Sequence, residues 1–173
     1  MDSCRLVLLE TTKGNILVAL YNETPRHRDN FLKNVRAGYY DGLLFHRVIN
    51  NFMIQAGDSA SRHAAKGQML GDSPESYTVP AEICWPHLYH KRGALGAARE
   101  GDDVNPSRAS SAHQFYIVYG RRMDDAMLDK AQQRLDESTV GKIKLTPELR
   151  KAYFEKGGTP HLDGQYTVFG EVL

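Results

Sequence analysis

The sequence predicts a mainly β, antiparallel chain that carries one flanking helix and an inserted pair of helices. Short runs of alternating apolar and polar residues, bounded by Gly, Asn and Pro, recur from residue 5 to residue 119 and return at 165–172. Thr24-Pro25, an N-cap type followed by a proline suited to the first helical position, precedes Phe31, Leu32 and Val35 at helical spacing. Over residues 121–160 the apolar period changes from two to that of a helix.

Size and charge narrow the possible functions. A chain of 173 residues with 41% hydrophobic residues suits one domain, 1–173, able to bury a real core. Lys plus Arg number 22 against 21 for Asp plus Glu, so the net charge of +1 gives no support for attraction to nucleic acid or to an anionic membrane. The opening MDSCRLVLLETT has one short apolar run flanked by Arg5 and Glu10, too short and too charged for a signal segment or a membrane span. As given, the chain reads as cytoplasmic. Cys4 and Cys84 lie too far apart for a metal or redox spacing and are expected to be reduced thiols.

In order, residues 5–12 and 15–20 flank Lys13-Gly14 and predict an opening hairpin. The helix after Thr24 should stop at Gly38. Residues 44–49 and 52–57 alternate on either side of Asn50-Asn51, a turn pair that tolerates left-handed geometry, and predict a second hairpin. Residues 59–76, rich in Ser, Gly and Ala, predict a long surface loop of the kind that is usually functional or mobile. Residues 82–85 and 93–99 are short apolar segments, and QFYIVY at 114–119 is a clear strand. The small residues of 93–98 fit either a peptide lying against that strand or a tight interior. Asp124 or Asp125 can cap a helix carrying Leu128, Ala131 and Leu135, and Thr146-Pro147 opens another that carries Leu149, Ala152 and Tyr153 before Gly157-Gly158. With mixed charge and short apolar faces, the 121–160 insertion reads as a packed surface excursion rather than a dedicated partner site.

The second hairpin holds the sharpest chemistry. Residues two apart share a strand face, so Arg47 stands with Phe45 and Ile49, while Met53 and Gln55 share a face on the return strand. A lone strand arginine is most often snorkelling or ion-paired. Phe52, Met53 and Gln55 following so closely favour a donor held in an apolar groove, because ligand grooves are mostly apolar with a few placed polar groups. Other constellations carry less. His63, His87, His90, His113 and His161 come with no HExxH or Cys/His pattern, the serines of 107–111 lack a GxSxG elbow, and neither GxGxxG nor GxxxxGK occurs. The expectation is chemistry without a protein nucleophile, metal or cofactor.

FHRVINNFMIQAGD at 45–58 resembles the signature of the cyclophilins, the cyclosporin-binding peptidyl-prolyl cis-trans isomerases (rotamases) that assist protein folding. HQFYIVY at 113–119 is similar to the family's SQFFI strand, HLDGQYTVFGEV at 161–172 to its WLDGxxxVFGxV segment, and KGNILVALYNETPRHRDNF to its first strands and helix. The resemblance covers nearly everything except the 121–160 insertion, which is similar to insertions in some bacterial members. It implies an antiparallel β-barrel, no cofactor, and proline-containing peptides and unfolded or folding proteins as partners. Arg47 would be the catalytic arginine, with Phe52 and Gln55 beside it. Phe52, Met53, Tyr116 and Leu162 would line a proline pocket, and Gln55, Ala98, Arg99 and Gln114 would flank the peptide backbone.

Four positions depart from the family pattern. His161 replaces the usual tryptophan, an important cyclosporin contact; Tyr116 stands where phenylalanine is common, Tyr166 where histidine is, and Arg99 where asparagine is. The family continues past its VFGxV strand through a helix and a closing strand, whereas this sequence ends at Leu173. The expectation is an open barrel edge able to self-associate. A proline-peptide binding or chaperone-like module with little turnover is the alternative reading.

Overall fold

The computed structural model describes residues 4–173. Strands β1 (Arg5–Thr11) and β2 (Gly14–Leu20) form the first hairpin, in register from Arg5 opposite Leu20 to Thr11 opposite Gly14. Helix α1 spans Pro25–Arg36, with its proline in the first turn where a missing N–H costs nothing. The predicted cap residue Thr24 makes no side-chain cap. Instead Glu82 reaches the helix start, its carboxylate accepting from the backbone N–H of Arg26 at 3.2 Å and of His27 at 2.8 Å. That places a negative charge on the positive end of the helix. Residues 82–85, expected as an apolar segment, form no strand and carry this cap.

Strands β3 (Arg47–Ile49) and β4 (Met53–Ala56) make the second hairpin, with Asn51 in the left-handed region at φ 58°. After the Ser59–His63 turn come β5 (Thr78–Val79), β6 (Ala94–Ala97), β7 (Ser110–Ser111) and β8 (Phe115–Val118). Helices α2 (Asp125–Thr139) and α3 (Pro147–Lys156) follow, capped by the side chains of Asp124 and Thr146. A turn at Pro160–Leu162 then leads into β9 (Val168–Val172). Seven strands form one antiparallel sheet in the order β1-β2-β9-β6-β8-β4-β3, and β5 pairs with β7 separately. The large sheet is a half-barrel with β1 and β3 at its edges, and the exposed Leu6 and Leu8 stand on β1.

Both faces of the central strands are covered. Phe115 and Ile117 of β8 join Leu95, Phe169, Leu20 and Val18 in a core that takes Phe31 and Leu32 from α1. Burying each such side chain is worth about 1.5–3 kcal/mol. Their neighbours Tyr116 and Val118 point the other way and pack with Met53, Ala94 and Val168. Leu128, Leu135, Leu145, Leu149 and Tyr153 build a third cluster with Trp85 and Tyr89. The inserted helices have an interior of their own and seat it on Trp85 and Tyr89, in the segment before β6.

Candidate active site

Strand register explains why distant residues meet. Arg47 lies opposite Gln55, Gln55 opposite Tyr116, and Tyr116 opposite Gly96. Directly opposed residues share a sheet face, so one row of four strands presents guanidinium, amide, phenol and glycine side by side. The glycine is required at that place. A Cβ on Gly96 would stand 2.2 Å from Cζ of Tyr116, whose ring lies across the β6 backbone. Ala94, Leu95 and Ala97 are buried, and Ala98, just after β6, lines the groove.

Around that row is a cavity of about 130 Å³ lined by Arg47, Phe52, Met53, Gln55, Ala98, Arg99, Tyr116, Leu162 and Tyr166. Gln114 lies outside it, on a neighbouring groove of about 600 Å³ that shares Gln55, Ala98 and Arg99. His161 is not among the lining residues, and its ring lies 5.4 Å from that of Phe52, which is one of them. Burial, reinforced by the positive charge of Arg134 and by His90, holds the His161 imidazole down to about 4.

The polar groups are held by one another. Arg47 is exposed and donates Nη1–H to Oε1 of Gln55 at 3.2 Å; Gln55 donates to Gln114 at 2.9 Å, and Gln114 to the carbonyl of Gly71 at 2.8 Å. This orients each amide and ties Arg47, itself a lining residue of the cavity, to Gln55 through one of its five N–H donors. Arg99 is braced instead. Its side chain is 4% exposed, lies over the Tyr166 ring at 4.3 Å, donates to the carbonyls of Gln165 and Glu100, and pairs with Asp102 at 3.0 Å.

Several supporting residues carry no signal of their role in the sequence, although Asp58 closes the 45–58 motif. Asp58 is 1% exposed and anchors the long loop after β4, accepting from the backbone of Ala60 and Gly71 and from the hydroxyl of Ser73. Burial pushes its carboxyl up, but these donors and nearby His46 win and hold it below the usual value. His90, Asp163 and Tyr153 are buried beneath Tyr116. Asp163 sits inside the HLDG motif, but nothing in its spacing reveals a partner on an inserted helix. No group of three or more His, Cys, Asp or Glu that could hold a metal exists among the described residues, and none of their helices is long and apolar enough to cross a membrane.

Residues 6–173 match the family described as cyclophilin type peptidyl-prolyl cis-trans isomerase/CLD. A Staphylococcus aureus relative bearing the name of a peptidyl-prolyl cis-trans isomerase is 35% identical over 96% of this chain and 75% of its own length. A Streptococcus pyogenes relative, named as a bifunctional phosphatase/peptidyl-prolyl cis-trans isomerase, is 34% identical over 96% of this chain, which spans only 31% of that protein. Among solved structures, a Cryptosporidium parvum cyclophilin-type isomerase superposes with a TM-score of 0.63 at 25% identity, covering 99% of this chain and 78% of that one. A second crystal structure under the same name, obtained in the presence of the dipeptide Ala-Pro, superposes with a TM-score of 0.62 at 23% identity, covering 98% and 78%.

Proposed function

The chain belongs to the family of cyclophilin-type peptidyl-prolyl cis-trans isomerases, and we propose that it accelerates rotation about Xaa-Pro bonds in peptides and folding proteins, with Arg47 as the donor that stabilises the twisted bond. The single observation that carries the reading is the row Arg47, Gln55, Tyr116, Gly96 beside a cavity to which Phe52, Met53 and Leu162 bring apolar side chains. Amide resonance sets a rotation barrier of about 18–20 kcal/mol. Twisting the bond returns lone-pair density to the prolyl nitrogen, and a donor aimed there stabilises the twisted state more than either planar state.

Phe52, Met53, Tyr116 and Leu162 grip the prolyl ring, and the bond preceding it lies against Arg47. Gln55 orients the guanidinium and takes the peptide backbone, with Ala98 and Gln114 along the neighbouring groove. An acceleration of about 10⁵ requires about 7 kcal/mol of differential stabilisation, within reach of a charge-assisted hydrogen bond that substrate desolvates, together with restriction of the flanking chain. No nucleophile, metal or cofactor enters the step. The Ala-Pro dipeptide present with the Cryptosporidium protein supports a proline-containing ligand.

The test is Arg47→Ala, assayed for turnover and for binding of an Ala-Pro peptide. Turnover should fall roughly 100-fold with little change in affinity, as for loss of an interaction made only in the transition state. Unchanged turnover would remove Arg47 from this role and favour a peptide-binding module.

A further inference from the structure

The floor of the cavity is attached to the inserted helices. Tyr116 is 4% exposed, and its hydroxyl lies 2.7 Å from Nε2 of His90. His90, 1% exposed, places Nδ1 3.0 Å from Oδ1 of Asp163, which also accepts the backbone N–H of His90 at 2.9 Å. The other oxygen, Oδ2, accepts from the hydroxyl of Tyr153 on α3 at 2.6 Å. Asp163 and Tyr153 are both fully buried.

The direction of each bond follows from its partner. A carboxylate accepts only, so Nδ1–H donates to Asp163, and in the neutral imidazole Nε2 is then the acceptor of the Tyr116 hydroxyl hydrogen. Burial pushes the Tyr116 phenol far up and keeps its hydrogen in place to be given. Every polar atom in the chain from α3 to Tyr116 is paired, and a buried network of this kind rigidifies what it holds only while each member is satisfied. The Tyr116 hydroxyl is what makes the connection; a phenylalanine at that position would leave Nε2 of His90 without its partner.

We propose that His90, Asp163 and Tyr153 are positioning residues that fix the Tyr116 ring as the floor of the proline pocket, and that the 121–160 insertion thereby supports substrate binding. None of the three lines the cavity, and each acts through Tyr116. The inference rests on the reading of that cavity as the proline pocket. A ring that grips proline in the planar and twisted states alike contributes to binding of both, so loosening it raises KM and leaves kcat nearly unchanged.

The experiment is a double-mutant cycle with Tyr153→Phe and Tyr116→Phe in the full chain, followed by KM and kcat on an Ala-Pro peptide. Tyr153→Phe should raise KM by roughly threefold to tenfold in the wild-type background and have no further effect once Tyr116→Phe has cut the chain of bonds. An equal effect in both backgrounds, or none in either, overturns the proposal. Absence of turnover and of peptide binding in the wild type overturns the pocket reading along with it. Should Tyr153→Phe fail to fold, ¹⁵N NMR of the wild-type imidazoles decides: His90 must show a protonated Nδ1 and an accepting Nε2 that shifts on addition of the peptide. The opposite tautomer, or an Nε2 blind to saturating peptide, rejects the assignment.

Discussion

Glycine at position 96 and histidine at position 161 carry the most local consequences. The Tyr116 ring occupies the space a side chain at position 96 would need. Gly96→Ala is therefore expected to destabilise the fold by about 1–3 kcal/mol, the usual range for overpacking a filled site, and to displace the pocket floor. Urea denaturation and peptide binding report the two effects; an alanine variant as stable and as tight-binding as the parent would contradict the packing described. The pH effect of His161 has a definite sign. Its imidazole titrates at about 4 in the folded chain against an ordinary 6.5. Within that window the unfolded chain holds a proton that the folded chain refuses, so stability is full above the ordinary value and falls as pH drops toward the folded one. His161→Phe should narrow the gap between urea midpoints measured at about pH 7 and about pH 5. His27 and His46 are shifted down as well, chiefly by burial, so part of the slope should survive the substitution.

Secondary-structure elements were legible wherever periodicity and end signals lay close together in the chain. The hairpin at Asn50-Asn51 and the starts of α1 and α3 at Thr24-Pro25 and Thr146-Pro147 fall where the sequence puts them. What ties those elements together was not legible, because the partners are remote. Glu82 caps α1 from 56 residues beyond Arg26, and the tyrosine that closes the network under the pocket lies on an inserted helix. Glu82 also accepts from Nδ1 of His27 at 2.7 Å, while Nε2 of that ring meets the Ser110 hydroxyl at 2.7 Å. Glu82→Ala should therefore cost more than an ordinary cap, about 2 kcal/mol, and lower the melting temperature. A loss below about 0.5 kcal/mol would show that water or Thr24 takes over the cap.

At the scale of the molecule, one sheet serves two faces: the core under α1 on one side, the cavity and the inserted helices on the other. The row that builds the site was half visible beforehand. Arg47 and Gln55 share a readable hairpin, but pairing of that hairpin with β8, and of β8 with β6, is long-range and leaves no local signal in the sequence. Strand β1 lies at one edge of the sheet, pairs among the described residues on one side only, and exposes Leu6 and Leu8. An unpaired strand of this kind recruits other chains. The chain is expected to associate as concentration rises, with Leu8→Lys reducing the association in sedimentation; a monomer at every concentration would contradict this. The central claim is tested most directly by the cis-to-trans rate of a short Ala-Pro peptide at about 10 °C, where the uncatalysed exchange takes minutes. With the folded chain at catalytic concentration the exchange should become many times faster, in proportion to the chain added. An unchanged rate in the presence of a demonstrably folded sample would contradict the isomerase account.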